Sequence, residues 1–233
     1  MVVALLAVAP VGAVAWFVTE RRARDPLVPL ELFRRRNFTA PLAVNALTNF
    51  AYMGGFIVSP LLLQNVFGYT LSASGLVMMT RPLSYSITSP IAGYVAVRVG
   101  ERRAIVVGVA SVLASMLVLA LAAVSSSVAL VLVGLLLSGV GAGTSSPSLM
   151  STVANAVEPG RLGLANATQQ MAGLLGAVSG MQVLAAIRSG ADRGGPFAVA
   201  YLVGAGVVAV GAVLAGAVRS ERRPRPLEIV TAA

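Results

Sequence analysis

Of 233 residues, 57% are hydrophobic and 11% charged, and the mean hydropathy is +0.87; a soluble domain carries about twice that charge, so the bilayer is the solvent of this chain. The formal charge of +9 would suit nucleic acid only on a folded soluble module, and the apolar segments leave none, which excludes nucleic acid as a partner. With neither cysteine nor histidine, disulfides, thiolate metal sites and a neutral-pH imidazole shuttle are ruled out, and no metal or cofactor is expected.

A bilayer core takes about 20 apolar residues per helix. Seven segments meet that measure, at roughly 1–18, 38–63, 73–97, 104–124, 128–150, 165–187 and 197–218. The expected fold is an all-α transmembrane one, a seven-helix polytopic membrane protein. The first span has no basic residue before it and a basic run after it, the reverse of a cleaved signal peptide. A reverse signal anchor would look like this, and so would a helix inside a longer protein; the second is expected, because the flanks of a chain start are missing. The segment 19–37, TERRARDPLVPLELFRRRN, holds six arginines and is expected as a basic cytoplasmic linker.

The span 38–63 places Asn45, Asn49 and Tyr52 at i, i+4 and i+7, on one helix face. They read as cavity lining or as hydrogen bonding between helices; a second polar face carrying Gln169 and Gln170 favours lining. The span 73–97 repeats the spacing with Arg81, Tyr85 and Thr88. Arg81 is the only charge within a span, about 13 Å along its helix from the outer end. An intramembrane ionisable group is a functional candidate. With Tyr85 it would line a central cavity and order an anionic or carbonyl-bearing part of a substrate; the alternative is a stem that snorkels to the outer surface. Pro82 beside it frees a backbone carbonyl one turn earlier.

The stretch SPIAGYVAVRVGERR, residues 89–103, closes that helix. Gly93 is expected to let a neighbouring helix approach and Gly100 to supply a turn with positive φ. Arg98, Arg102 and Arg103 would lie at the phosphate level. A simple positive-inside anchor is the alternative. Further on, 104–124 offers only Ser111 and Ser115, 128–150 ends in GVGAGTSSPS, 165–187 stacks Asn166, Gln169, Gln170, Gly173 and Gly180 on one side, and 197–218 offers only Tyr201. Residues 219–233 form a basic tail.

Connections at 19–37, 98–103, 153–164 and from Arg219 carry fourteen arginines; those alternating with them, at 64–72, 125–127 and 188–196, carry two. The positive-inside rule then puts the N-terminus outside and the C-terminus in the cytoplasm of a bacterial inner membrane. Within 38–218 the first, second, fourth and fifth helices are polar-faced, and the third and sixth are lipid-like. An inverted three-plus-three repeat predicts that order. Gly139 with Gly143, and Gly176 with Gly180, form GxxxG pairs suited to close packing.

The loop at 93–103 resembles a cytoplasmic loop characteristic of the major facilitator superfamily, of the form G-x-L-A-D-R-x-G-R-R, with Gly93, Ala96, Arg98, Gly100, Arg102 and Arg103 matching. Val97 stands where that family often has aspartate, and Glu101 at a commonly basic position. DPLVPLELFRRRNF and EPGRLGLANATQQMAGLLGAVSG are similar to segments of its fourteen-span drug:proton antiporter branch. The resemblance implies one extra central helix, 1–18, followed by the six-helix C-terminal bundle, 38–218. It also implies efflux of small hydrophobic or cationic compounds by alternating access, driven by proton entry, with a missing N-terminal half or a second half-bundle as partner.

All eight acids lie outside the spans, so a coupling carboxylate is expected in the missing half. Other readings are a stand-alone half-transporter subunit, an inactive remnant, or a seven-helix receptor or sensor; no intramembrane lysine is present for a retinal Schiff base. Catalysis finds no support, since no nucleophile and base pair, metal cluster or phosphate loop is present.

Overall fold

In a computed structural model, residues 36–188 and 194–216 are described. The expected span 1–18, nearly all of the linker 19–37 and the tail 219–233 lie outside them. With no water in the bilayer core to satisfy N–H and C=O groups, a lipid-solvated chain closes its hydrogen bonds within helices, and the described residues are helical almost throughout. The helices are α1 (Arg36–Asn65), α2 (Leu71–Met78), α3 (Thr80–Val99), α4 (Glu101–Ser125), α5 (Val128–Asn155), α6 (Leu162–Ile187) and α7 (Gly194–Gly216), with a 3-10 turn at Pro159–Arg161 before α6. Five of them, α1 and α4 to α7, are long and apolar enough to cross a membrane.

The remaining expected span, 73–97, is covered by α2 and α3 together. They are separated only at Met79, whose backbone stays right-handed (φ −61°, ψ −24°). Pro82 has no N–H to return to the carbonyl of Met78, and the helix is interrupted one turn before it. The short links are set by local chemistry. Gly68 has φ +70° after α1, and the hydroxyl of Thr70 accepts the N–H of Ala73 at 3.3 Å to cap α2. Gly100, at φ +100°, turns the chain from α3 into α4 in one residue. α5 runs five residues past the expected end at 150: Thr152 returns its hydroxyl to the carbonyl of Ser148 at 2.8 Å, and Glu101 takes up the polar side chains of the last turn.

With α2 and α3 counted as one, the packing follows a repeat. The first helix lies on the fifth and the second on the fourth. The third packs on the fourth and the sixth on the first, while third and sixth pack together. Exchanging one with four, two with five and three with six maps this arrangement onto itself, as a three-plus-three repeat requires. Both GxxxG pairs sit at crossings between the two triplets. A Cβ on Gly176 or Gly180 would fall on the carbonyl oxygens of Ala46 and Phe50 in α1; one on Gly139 would fall on Ser84, and one on Gly143 would lie 3.0 Å from the Tyr85 carbonyl.

The lipid-like third and sixth helices, α4 and α7, supply much of the apolar core through Ile105, Val109, Met116, Phe197, Ala200 and Val208. Of the five long apolar helices polar-faced α6 is the least covered, with 17% of its most apolar stretch buried against 50% in α4. α1, which carries Asn45 and Asn49, is as buried as α7 at 44%, so among these five it is α6, with Asn166, Gln169 and Gln170, that the bundle leaves open.

Candidate functional site

On that open side, α1, α3, α5 and α6 enclose two adjoining cavities of about 450 and 300 Å³ that share Asn45, Asn49, Met53 and Ser146. Asn166, Gln169, Gln170 and Met150 border the larger; Tyr52, Pro82, Tyr85 and Ser145 border the smaller. No residue of α4 or α7 lines either. Six of the seven cavity candidates, Asn45, Asn49, Tyr52, Tyr85, Gln169 and Gln170, are thereby brought to one groove. Asn45 also bonds across helices, donating from Nδ2 to the main-chain carbonyl of Gln169 at 2.8 Å, while Asn49 donates to Asn45 O and Oδ1, both at 2.9 Å. Lining and interhelical bonding are properties of the same side chains here.

Arg81 is placed elsewhere than either sequence reading put it. It is 1% exposed, so it neither snorkels to the surface nor stands on a groove wall. Its guanidinium donates to the carbonyl oxygen of Tyr52 and stacks over the Tyr52 ring, 3.6 Å from the centroid, with Phe56 at 5.6 Å. Its Nε has no partner, and no carboxylate pairs with it among the described residues. The long Arg81 side chain reaches from the first turn of α3 to α1, where the ring and the main-chain carbonyl of Tyr52 lie within its reach. Arg81 is a strut behind Tyr52, and Tyr52 is the wall.

At the arginine-bearing end, Gly100 has the positive φ its turn needs. Arg98 stacks on Tyr94 at 4.7 Å and bonds its hydroxyl, and Arg102 donates to the carbonyl of Gly216 at 2.6 Å, tying the turn to α7; Arg103 is exposed. Gly93 is a correction. No atom of the described residues lies within 4 Å of where its Cβ would sit, so the close helix approach expected there does not occur within this bundle.

Sequence reasoning missed Glu101. Its carboxylate accepts from Ser151, from Thr152 at 3.1 Å and from Asn155 Nδ2 at 3.3 Å, clamping the end of α5 to the first turn of α4. Val97 offers no carboxylate, but Glu101, four residues on, makes a carboxylate contact from the same loop. The run SSPSLMSTVAN held the signal, as hydroxyls and an amide every three or four residues on one helix face. Glu101→Ala should speed amide hydrogen exchange at 151–155 by tenfold or more while α4 and α7 stay protected; unchanged exchange at 151–155 would show the clamp to be idle. Met53, Met150 and Met171 were also missed, because an apolar side chain in an apolar helix gives no sign of facing a groove.

The family model described as Major Facilitator Superfamily matches residues 1–181 and again 44–232. The chain belongs to the Major Facilitator Superfamily. It is a multi-pass membrane protein. It is 31% identical over 185 residues to the multidrug resistance protein Stp of Mycobacterium tuberculosis, covering 79% of this chain and 34% of that protein. Identity is 26% over 186 residues with the multidrug transporter protein MdtP of Bacillus subtilis, at 80% and 34% coverage, and 29% over 183 residues with a tetracycline resistance determinant of Streptomyces rimosus, at 78% and 53%. A crystal structure of the peptide transporter POT with alafosfalin superimposes with a TM-score of 0.68 at 22% identity, over 78% of this chain and 38% of that one; it shares the fold. The chain spans about a third of the length of the first two relatives.

Proposed function

We propose that this chain is the C-terminal half of a secondary active transporter that exports small hydrophobic or cationic compounds by alternating access. The observation that carries this is the open polar groove. Acyl chains cannot satisfy Asn45, Asn49, Asn166, Gln169 and Gln170, because hydrocarbon offers no hydrogen-bond partner. A second bundle can. Exposed apolar ridges flank the groove, with Leu76, Met79, Leu83 and Ile87 on α2 and α3 and Met171, Leu174 and Leu175 on α6, and they suit such a partner. The similarity to the multidrug resistance protein Stp and the multidrug transporter protein MdtP supports the multidrug assignment.

In this reading the groove is half of a central cavity. Asn45, Asn49, Tyr52, Tyr85, Gln169 and Gln170 contact the substrate, and Arg81 positions Tyr52. The loop with Gly93, Arg98, Gly100, Arg102 and Arg103 faces the cytoplasm of a bacterial inner membrane, with the C-terminus on the same side. The coupling carboxylate lies in the other half. An epitope tag at the C-terminus, placed at the native locus, tests this by blot: the expected band exceeds twice the 23.7 kDa of this chain, and a band at 23.7 kDa would overturn it. Proton uptake driven by substrate in liposomes holding this polypeptide alone would refute the placement of the carboxylate.

A further inference from the structure

Among the described residues one charge is buried, and it stands beside the groove without a counter-charge. The Arg81 guanidinium lies 3.6 Å from the centroid of the Tyr52 ring and is bonded to the Tyr52 carbonyl. Arg81 itself borders neither cavity. Yet Tyr52, on which it stacks, Pro82, its neighbour in sequence, and Tyr85, one turn on, all border the smaller one. The acids among the described residues are Glu101 and Glu158. Glu101 is engaged at the end of α5, and Glu158 is exposed before the 3-10 turn. No charged side chain borders either cavity, so Arg81 is the charge that the groove feels from this bundle.

Burial excludes the direct contact with a ligand that the sequence suggested, but it strengthens the field. Water and salt screen an exposed charge and screen a buried one much less. A tyrosine ring ordinarily draws cations to its faces, and the Tyr52 ring already holds a guanidinium. We infer that Arg81 sets the charge preference of the smaller cavity: the part of a ligand lodged against Tyr52 and Tyr85 is uncharged or anionic, such as an aryl ring, a carbonyl or a carboxylate, and a cationic group is turned away from this wall. This rests on the transporter reading above and gives the ligand an orientation. An amphipathic cation lies with its apolar end on Tyr52 and its charge towards the facing half, where the coupling carboxylate is proposed. Arg81 touches no ligand in this role; it acts through its field, in addition to holding the Tyr52 ring.

The test uses the full-length protein encoded at the locus, purified in detergent, with three probes of one ring system and similar size at neutral pH: naphthylmethylammonium, naphthylmethanol and naphthoate. Arg81→Met and Arg81→Gln both remove the charge and keep much of the volume. Loss of the support behind Tyr52 acts on all three probes alike, so the readout is the ratio between them. In both variants the ammonium should bind about tenfold more tightly relative to the alcohol, and the naphthoate about tenfold more weakly relative to it. Opposite shifts of cation and anion are the signature of a charge, whereas a purely structural role moves the probes together. Ratios unchanged from wild type in both variants would overturn the inference and leave the transporter reading standing. Wild-type protein that binds none of the three would overturn the groove as a substrate site, and this inference with it.

Discussion

Gly180→Leu should abolish accumulation of folded protein, and Gly176→Leu should do the same. Each glycine meets the main chain of α1, at Phe50 and Ala46, so closely that a Cβ would coincide with a carbonyl oxygen. A carbonyl inside a helix cannot rotate aside as a flexible side chain can. The two helices would have to part along their whole contact, which also carries the Asn45 bond to Gln169. Over-packing of this kind belongs to the exceptional class of about 4 kcal/mol or more, comparable with the whole stability of many domains. The control is Gly206→Leu in α7, where nothing lies within 4 Å; it should accumulate and elute as wild type. Detergent extraction followed by size-exclusion chromatography reads both. Folded Gly180→Leu protein at wild-type level would show that α1 and α6 do not cross there.

The second large effect concerns function rather than folding. Arg81→Met should raise thermal stability and reduce transport by tenfold or more. Arginine at 1% exposure, with Nε unpartnered and no carboxylate beside it, pays for desolvation with one main-chain bond and stacking on Tyr52. Replacing buried ionic groups by apolar residues of similar volume has stabilised proteins by about 1–4 kcal/mol. Methionine keeps the volume and removes the charge. What it cannot keep is the stacked guanidinium that holds the Tyr52 ring against the groove. Thermal unfolding and transport by the full-length protein, measured at equal expression, read the two effects separately. A variant both less stable and fully active would sink the strut role.

Much of the architecture was legible along the chain, because the bilayer imposes it. Each span must satisfy its own backbone in about 20 residues, and six of the seven expected spans overlap helices in the described residues. The polar residues of α1 and α6 were legible for the same reason: Asn45, Asn49 and Gln169 are too costly in lipid to be there by default. Their fate was not legible. Spacing alone treats Arg81 and Tyr85 as equals one turn apart, whereas the ring and carbonyl of Tyr52 hold the Arg81 guanidinium behind Tyr52 and leave Tyr85 on the wall.

By itself, then, the sequence determined the medium, the helical segments that the described residues contain, the connections that bear arginine and the membership suggested by the loop at 93–103. Each follows from composition or from neighbours within a turn of helix. Only tertiary structure decided that α4 and α7 supply much of the core while α6 stays open, that Glu101 clamps the end of α5, and that Gly93 meets no helix of this bundle. Those depend on which carbonyl, ring or hydroxyl another segment brings within about 3 Å. Residues 50 to 130 positions apart meet there, and no periodicity along one helix records what lies across from it.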